Sequence, residues 1–310
     1  MKIGIIGFGA LGGLYGHFFS RAPETETVFI ASGDRFERLR AQPLTVNGEE
    51  LNIPVEQAGK ARSPVDLILF AVKHHHLQQA IEDVSSHVGE STVFISVMNG
   101  IESEERIAEA FGEEHVLYSV ALGMDALRED NRVRFSTPGQ LLVGRAHNDT
   151  EKEPDPDLAL VQNLCDECGL PWGTPVDMIR NLWWKFMINI GINQTSALLK
   201  ASYGTFIESS HARSVMIRAM EEVIEVASKK GVYLDTSDID QFVHKIIPSM
   251  SPEGKTSMCQ DVEARRKTEV EMFSGTLIRI AEEHGIQTPV NRTLFSLIKG
   301  LEHTFAGTHT

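Results

Sequence analysis

The sequence predicts a two-domain α/β protein: a doubly wound, mostly parallel sheet in the first half and an all-helical second half. Three observations carry this. Up to about residue 175 the chain alternates short, continuous apolar runs with helical patterns, as strands covered on both faces require. From about Asp177 onward a 3.6-residue periodicity takes over and persists. At 310 residues the chain exceeds what one core usually organises, and 42% hydrophobic residues suffice for two.

Taken in order, the buried strands are expected at Lys2–Gly7, Thr27–Ala31, Leu67–Val72, Thr92–Val97 and Val116–Ala121. Arg132–Ser136 and Gln140–Gly144, with Thr137-Pro138-Gly139 between them, read as a late hairpin or an extension of the sheet. Asn148–Asp157 is polar and acidic, a surface loop before a helix over Leu158–Cys168. Glycine and proline interrupt both patterns around Trp172–Val176, so the domains are expected at 1–175 and 176–310. The second half reads as long helices over Asn181–Leu199, His211–Lys230, Ser237–Pro248 and Ser257–His284, with Gly231, Gly285 and Pro289 as stops.

The first apolar run leads into Gly7-Phe8-Gly9-Ala10-Leu11-Gly12 and then an apolar helix through Leu14, Phe18 and Phe19. Each glycine has a physical use: a tight turn, close backbone approach to a pyrophosphate, and close helix packing, with the anion at the positive helix N-terminus. Strand, glycine turn and helix together make the first half a Rossmann-type dinucleotide-binding domain. The second strand ends without an acidic residue, and Ser32-Gly33-Asp34-Arg35 follows. Ser32 with Arg35 suits a 2′-phosphate, which favours NADP(H) over NAD, while Asp34 argues the other way.

Bulk properties exclude several partners. With 29 basic against 43 acidic residues the formal charge is −14, which repels nucleic acid and anionic membrane surfaces. No apolar run approaches the roughly 20 residues a membrane helix needs, and the three cysteines suit a reducing cytoplasm. Cys165-Asp-Glu-Cys168 lacks a second ligand pair, and consecutive His74-His75-His76 cannot all face one ion, so no metal is expected. The apolar faces of the helical half could serve a core or a homodimer.

Ligands of doubly wound sheets lie beyond the carboxyl ends of the strands. Leu67–Val72 delivers Lys73 there, and Thr92–Val97 delivers Asn99-Gly100, which suggests contacts to the cofactor's ribose and nicotinamide half and to substrate. In the helical half Lys185, Asn189 and Asn193 recur every four residues, on one face of a helix whose flanks (Phe186, Met187, Ile188, Ile190, Ile192) suit burial. A cation and two amides so placed need partners, and a polar ligand would supply them. By spacing alone Ser257 is an N-cap and Glu269 one exposed carboxylate of a charged helix.

These residues resemble the ketopantoate reductase family over nearly the whole chain. The motifs are Gly7-Phe8-Gly9-Ala10-Leu11-Gly12-Gly13, Val72-Lys73, Asn99-Gly100, Trp184-Lys185-Phe186-Met187-Ile188-Asn189 with Asn193, and Ser257-Met258-Cys259-Gln260-Asp261 followed by Thr268-Glu269. The resemblance implies a Rossmann domain followed by a helical domain of the 6-phosphogluconate-dehydrogenase type, and NADPH-dependent reduction of 2-dehydropantoate, a step of pantothenate biosynthesis. It implies Lys185 as general acid, Glu269 as its polar partner, and Asn189, Asn193 and Ser257 as substrate contacts. Lys73 and Asn99 correspond to residues that contact cofactor and substrate. Two departures stand out. Ser32 occupies the position where many members carry an Arg for the 2′-phosphate, and Tyr203 stands where some have a further substrate-binding Asn. Alternatives are a related dehydrogenase of 2-keto or 3-hydroxy acids and an idle NADPH-binding regulator.

Overall fold

The computed structural model describes residues 1–149 and 151–306; Thr150 of the acidic loop and residues 307–310 lie outside it. The chain divides into two compact units, Met1–Ile179 and Arg180–Thr310.

The strands of the first unit are β1 (Lys2–Ile6), β2 (Glu26–Ala31), β3 (Thr45–Val46), β4 (Glu49–Glu50), β5 (Val55–Gln57), β6 (Leu67–Phe70), β7 (Val93–Ser96), β8 (Val116–Leu122), β9 (Leu127–Glu129), β10 (Arg132–Arg134), β11 (Gln140–Gly144) and β12 (Trp172–Gly173). Its helices are α1 (Ala10–Phe19), α2 (Gly33–Ala41), α3 (Leu77–Val84), α4 (Ser103–Phe111) and α5 (Pro156–Cys168). The main sheet runs β12-β11-β8-β7-β6-β1-β2-β5. It is parallel from β5 through β8, after which β11 pairs antiparallel with β8. Strand order reverses between β1 and β6, which makes the ends of those two strands the switch point of a doubly wound sheet.

Two cores, one per face, explain the continuous apolar runs. In β6, Leu67 and Leu69 enter one cluster with Ile3, Ile5, Val93 and Ile95. Ile68 and Phe70 enter the other with Ile6, Val28, Ile30 and Phe94. Side chains alternate across a strand, so a strand covered on both faces must be apolar at every position.

The expected hairpin over Arg132–Ser136 and Gln140–Gly144 does not form. Gln140–Gly144 extends the main sheet against β8. Arg132–Arg134 joins a separate four-stranded sheet in the order β4-β3-β10-β9. Tertiary packing decides this: Val133 is fully buried against α1, where a Cβ on Gly13 would meet its Cγ2 at 2.7 Å. The helix expected from Leu158 starts earlier, at Pro156, because Asp155 caps it by accepting from the N–H groups of Asp157 and Leu158.

The second unit comprises α6 (Met178–Leu199), whose first residues belong to the first unit, α7 (Tyr203–Glu208), α8 (Ser210–Lys229), α9 (Thr236–Gln241), α10 (Ser257–Glu263), α11 (Thr276–Glu283) and α12 (Pro289–Ala306). Two expected helices are interrupted. The segment expected over Ser237–Pro248 widens after Gln241 into a π-helical turn at Phe242–Ile246. The segment expected over Ser257–His284 stops at Glu263. There Arg266 N–H bonds back to the Asp261 carbonyl at 2.8 Å, Arg266 Nε pairs with the Asp261 carboxylate at 2.8 Å, and Arg265 turns to φ +50°. Among the described residues no helix is long and apolar enough to cross a membrane.

Candidate active site

Steric requirements build the first part of the site. Gly7 sits at φ +108°, and a Cβ there would overlap the Ala71 carbonyl just past β6. A Cβ on Gly12 would overlap the carbonyl oxygen of Gly7. These two glycines are required by the protein itself. Gly9 is different: its φ is −74°, and a Cβ there would have no neighbour nearer than the Ala71 carbonyl at 3.9 Å. Neither backbone strain nor packing within the unit calls for glycine at this position. It heads α1, whose N-cap makes no side-chain hydrogen bond and whose first turn carries no acidic residue. Open backbone at a positive helix end is what a pyrophosphate needs. Phe8 turns its ring into the core against Phe29 (centroids 4.9 Å apart), and Leu11 packs on the same core, so both face the protein through their side chains.

Beside this turn lies a cavity of about 230 Å³ lined by residues that include Gly7, Phe8, Ser32, Asp34, Arg35, His76 and Asp83. Two residues singled out by the sequence, Ser32 and Arg35, therefore converge on the glycine turn within one unit. Their side chains have protein partners. Ser32 Oγ donates to Asp83 Oδ2 at 2.8 Å, and Arg35 Nη2 donates to His76 Nε2 at 3.0 Å. Sequence reading missed Asp83 and weighed His76 only as a metal ligand. Their helical spacing with Gln79 on one flank of α3 was the available signal.

Lys73 and Asn99 lie where expected, past the ends of β6 and β7, and both are half-buried. Lys73 leads into the short turn His74–His76. The turn bearing Asn99 rests on a buried polar network: Ser119 Oγ donates to the Ser96 carbonyl at 2.5 Å, Ser96 Oγ to Ser103 Oγ at 2.8 Å, and Ser103 Oγ lies 2.7 Å from Glu104 Oε2. Gly100, at φ +96°, completes the turn.

In the second unit α6 carries the polar face. Asn193 is 4% exposed and its Nδ2 donates to Asn189 Oδ1 at 3.0 Å, while Lys185, one turn earlier, is half-buried. Phe186, Met187, Ile190 and Ile192 are buried around this stripe, so its polar residues are set in a packed environment. Ser257 opens α10 and is exposed. It is not the N-cap: Thr256 is, accepting from Cys259 N–H at 3.2 Å. Thr256 Oγ1 also lies 2.6 Å from Ser196 Oγ of α6, which seats the start of α10 one turn beyond Asn193.

Glu269 does not sit on a regular charged helix. It is half-buried between the break after α10 and a π-helical turn over Glu271–Gly275. Its neighbour Thr268 is held by Glu302 of α12, which accepts from its N–H at 2.7 Å and its hydroxyl at 2.6 Å. Ser274 of the π turn bonds to Gln194 of α6, so the segment after Glu269 is tied to the helix that bears Lys185. Tyr203 is half-buried at the start of α7; its N–H donates to the Gly254 carbonyl at 2.9 Å and burial raises its phenol pKa.

Comparison with known proteins follows the same division. The family described as "Ketopantoate reductase PanE/ApbA" matches residues 3–148, and "Ketopantoate reductase PanE/ApbA C terminal" matches residues 177–302. A protein named 2-dehydropantoate 2-reductase from Aquifex aeolicus (strain VF5) is 26% identical, with 97% of each chain covered. The crystal structure of a PanE/ApbA family ketopantoate reductase from Ralstonia eutropha JMP134 superposes with a TM-score of 0.84 at 25% identity, covering 99% of this chain and 100% of that one. D-mandelate dehydrogenase, solved with NADH and anilino(oxo)acetate, gives a TM-score of 0.86 at 22% identity over 99% of this chain and 100% of its own, a likeness of fold. With both family regions matched in order over most of its length, the chain belongs to the ketopantoate reductase family.

Proposed function

We propose that the protein catalyses NADPH-dependent reduction of 2-dehydropantoate to pantoate, the step that supplies pantothenate biosynthesis. The observation that carries the reading is the ladder Lys185, Asn189 and Asn193 on α6, with Asn193 buried and bonded to Asn189 among buried apolar neighbours. A cation and two amides repeated along one helix face suit the carboxylate, ketone and hydroxyl of a small keto acid.

A dinucleotide fits the residues present: Gly9 leaves its backbone open at the head of α1, and the adjoining cavity opens onto Ser32 and Arg35. The turn from Gly7 through Phe8, Gly9, Ala10 and Leu11 to Gly12 would hold the pyrophosphate by backbone N–H groups, and Lys73 and Asn99 the remainder. Arg35, with Ser32 beside it, is the group suited to a 2′-phosphate. When bound, the reduced nicotinamide supplies the hydride for the substrate ketone.

The chain's own work is at the carbonyl oxygen. Lys185, an ammonium at neutral pH, stabilises the negative charge that grows there and delivers a proton to it, provided its Nζ comes within about 2.6–3.2 Å. Glu269 holds that ammonium in place, and Asn99, Asn189, Asn193 and Ser257 orient the carboxylate and hydroxyl of the substrate by hydrogen bonds.

Steady-state oxidation of NADPH and NADH with 2-dehydropantoate tests substrate and cofactor together. Lys185→Ala should lower kcat by about 10²–10⁴-fold while NADPH binding persists; near-normal turnover would remove Lys185 from the acid role. Tyr203, where some members have Asn, supports a second reading in which another 2-keto acid is the preferred substrate. A panel of keto acids discriminates the two by kcat/KM.

A further inference from the structure

We propose that Asp83 is a specificity-determining residue that narrows the preference for NADPH over NADH, by placing a carboxylate in the cavity that also holds Arg35. This rests on the dinucleotide reading above. Ser32 directly follows β2, at the position that reads the 2′ substituent of a dinucleotide in a doubly wound sheet. Its hydroxyl is committed to Asp83 Oδ2 at 2.8 Å, and Gln79 Nε2 donates to the other oxygen at 3.0 Å.

Both partners are neutral, and among the described residues no Lys, Arg or His pairs with Asp83, so its charge stands uncompensated at the cavity wall. Arg35 lines the same wall but gives its Nη2 to His76 instead. Asp34, exposed on α2, is a second carboxylate of the lining. A 2′-phosphate carries about −1.5 to −2 charge at neutral pH. It is therefore drawn by Arg35 and repelled by Asp83. A ribose 2′-hydroxyl is a donor and finds in Asp83 an acceptor with lone pairs to spare. The two forms then bind with affinities closer together than Arg35 alone would set.

Asp83→Asn removes the charge at nearly constant shape. The amide oxygen still accepts from Ser32, while the bond from Gln79 is given up because the new Nδ2 is itself a donor. Isothermal titration calorimetry of the full chain with NADPH and with NADH reads the ratio of the two Kd values. We expect Asp83→Asn to shift that ratio toward NADPH by about tenfold, by tightening NADPH and weakening NADH, and Arg35→Ala to shift it the opposite way. Asp83→Ser, which also removes the charge, should move the ratio in the same direction and serves if the amide variant folds poorly, as judged by its melting curve. A ratio within twofold of the parent in a folded variant that still binds both dinucleotides overturns the role of Asp83 alone. Failure of the parent protein to bind either dinucleotide overturns this inference together with the dinucleotide reading.

Discussion

The hydroxyls of Ser196 and Thr256 lie 2.6 Å apart and link two elements that the chain separates by 60 residues. Each hydroxyl has one proton, and Ser196 gives its own to the carbonyl of Asn193 at 3.1 Å, so Thr256 must be the donor to Ser196. Cys259 N–H in turn donates to Thr256. The result is a directed chain from the first turn of α10 to the backbone of a proposed substrate residue.

Breaking that chain should be felt at the substrate. Thr256→Ala removes both the cap and the tie to α6, at a cost of about 1–2 kcal/mol, and should raise KM for the keto acid several-fold with a smaller change in kcat. Thr256→Ser keeps the hydroxyl and should restore both. Urea denaturation with steady-state kinetics checks this, and an unchanged KM in the alanine variant would confine Thr256 to capping.

Glu222 has a comparable structural duty at the start of α12. Nearly buried, it accepts from Val290 N–H at 2.7 Å, Asn291 N–H at 2.9 Å and Asn291 Nδ2 at 2.7 Å. Glu222→Ala would strand two backbone donors, each costing about 1–3 kcal/mol if left unsatisfied, while the Asn291 amide would keep its bond to the Ala219 carbonyl at 3.0 Å. We expect a loss of at least about 3 kcal/mol in denaturant titrations, and the isosteric Glu222→Gln should lose less because its carbonyl can still accept.

Acid should weaken the first unit before its carboxylates titrate. His87 is fully buried, and burial lowers its pKa below the ordinary 6.5. Glu56 Oε2, 3.1 Å away, opposes this, but Lys2 already matches that carboxylate through Oε1 at 2.8 Å. Burial lowers His17 in the same direction. A histidine with a depressed folded pKa contributes stability that is present above its unfolded value and lost as pH falls through the folded one. The urea midpoint should therefore drop between pH 7.5 and pH 5.5, and His87→Gln should flatten that slope. A parent midpoint independent of pH over this window would contradict the assignment.

What could be read from the sequence was what local sterics and periodicity decide. The Gly7–Gly12 turn and the apolar strands around it are of this kind, because their demands lie within a few neighbouring residues. The polar stripe on α6 was equally visible, its four-residue spacing being a property of the helix itself. Long-range pairings were not legible. Val133 chose a partner strand at Thr45–Val46, far back in the chain, over the adjacent Gln140–Gly144. Asp83 reaches Ser32 across 51 residues. Thr256 and Ser257 are both hydroxyl residues, and only the fold says which of them caps α10. The break after Glu263 has no glycine or proline to announce it, since a basic run continued the helical pattern and Arg266 closed the turn onto Asp261.

The three glycines of the N-terminal turn should separate by experiment into those the protein needs and the one a ligand needs. Gly12→Ala would drive a Cβ onto the Gly7 carbonyl, and backbone cannot swing aside as a side chain does, so a loss of about 1–3 kcal/mol or more is expected. Gly7→Ala combines a clash on Ala71 with a φ of +108° and should fare worse. Gly9→Ala meets no neighbour and sits at an ordinary φ, and the stiffer unfolded chain offsets the poorer N-cap, so folding should change by less than about 1 kcal/mol. Its cost should instead appear as dinucleotide affinity weakened by at least about tenfold, about 1.4 kcal/mol. Melting curves and calorimetric titrations of the three variants check the pattern, and a Gly9→Ala protein that binds dinucleotide like the parent would move the pyrophosphate away from this turn.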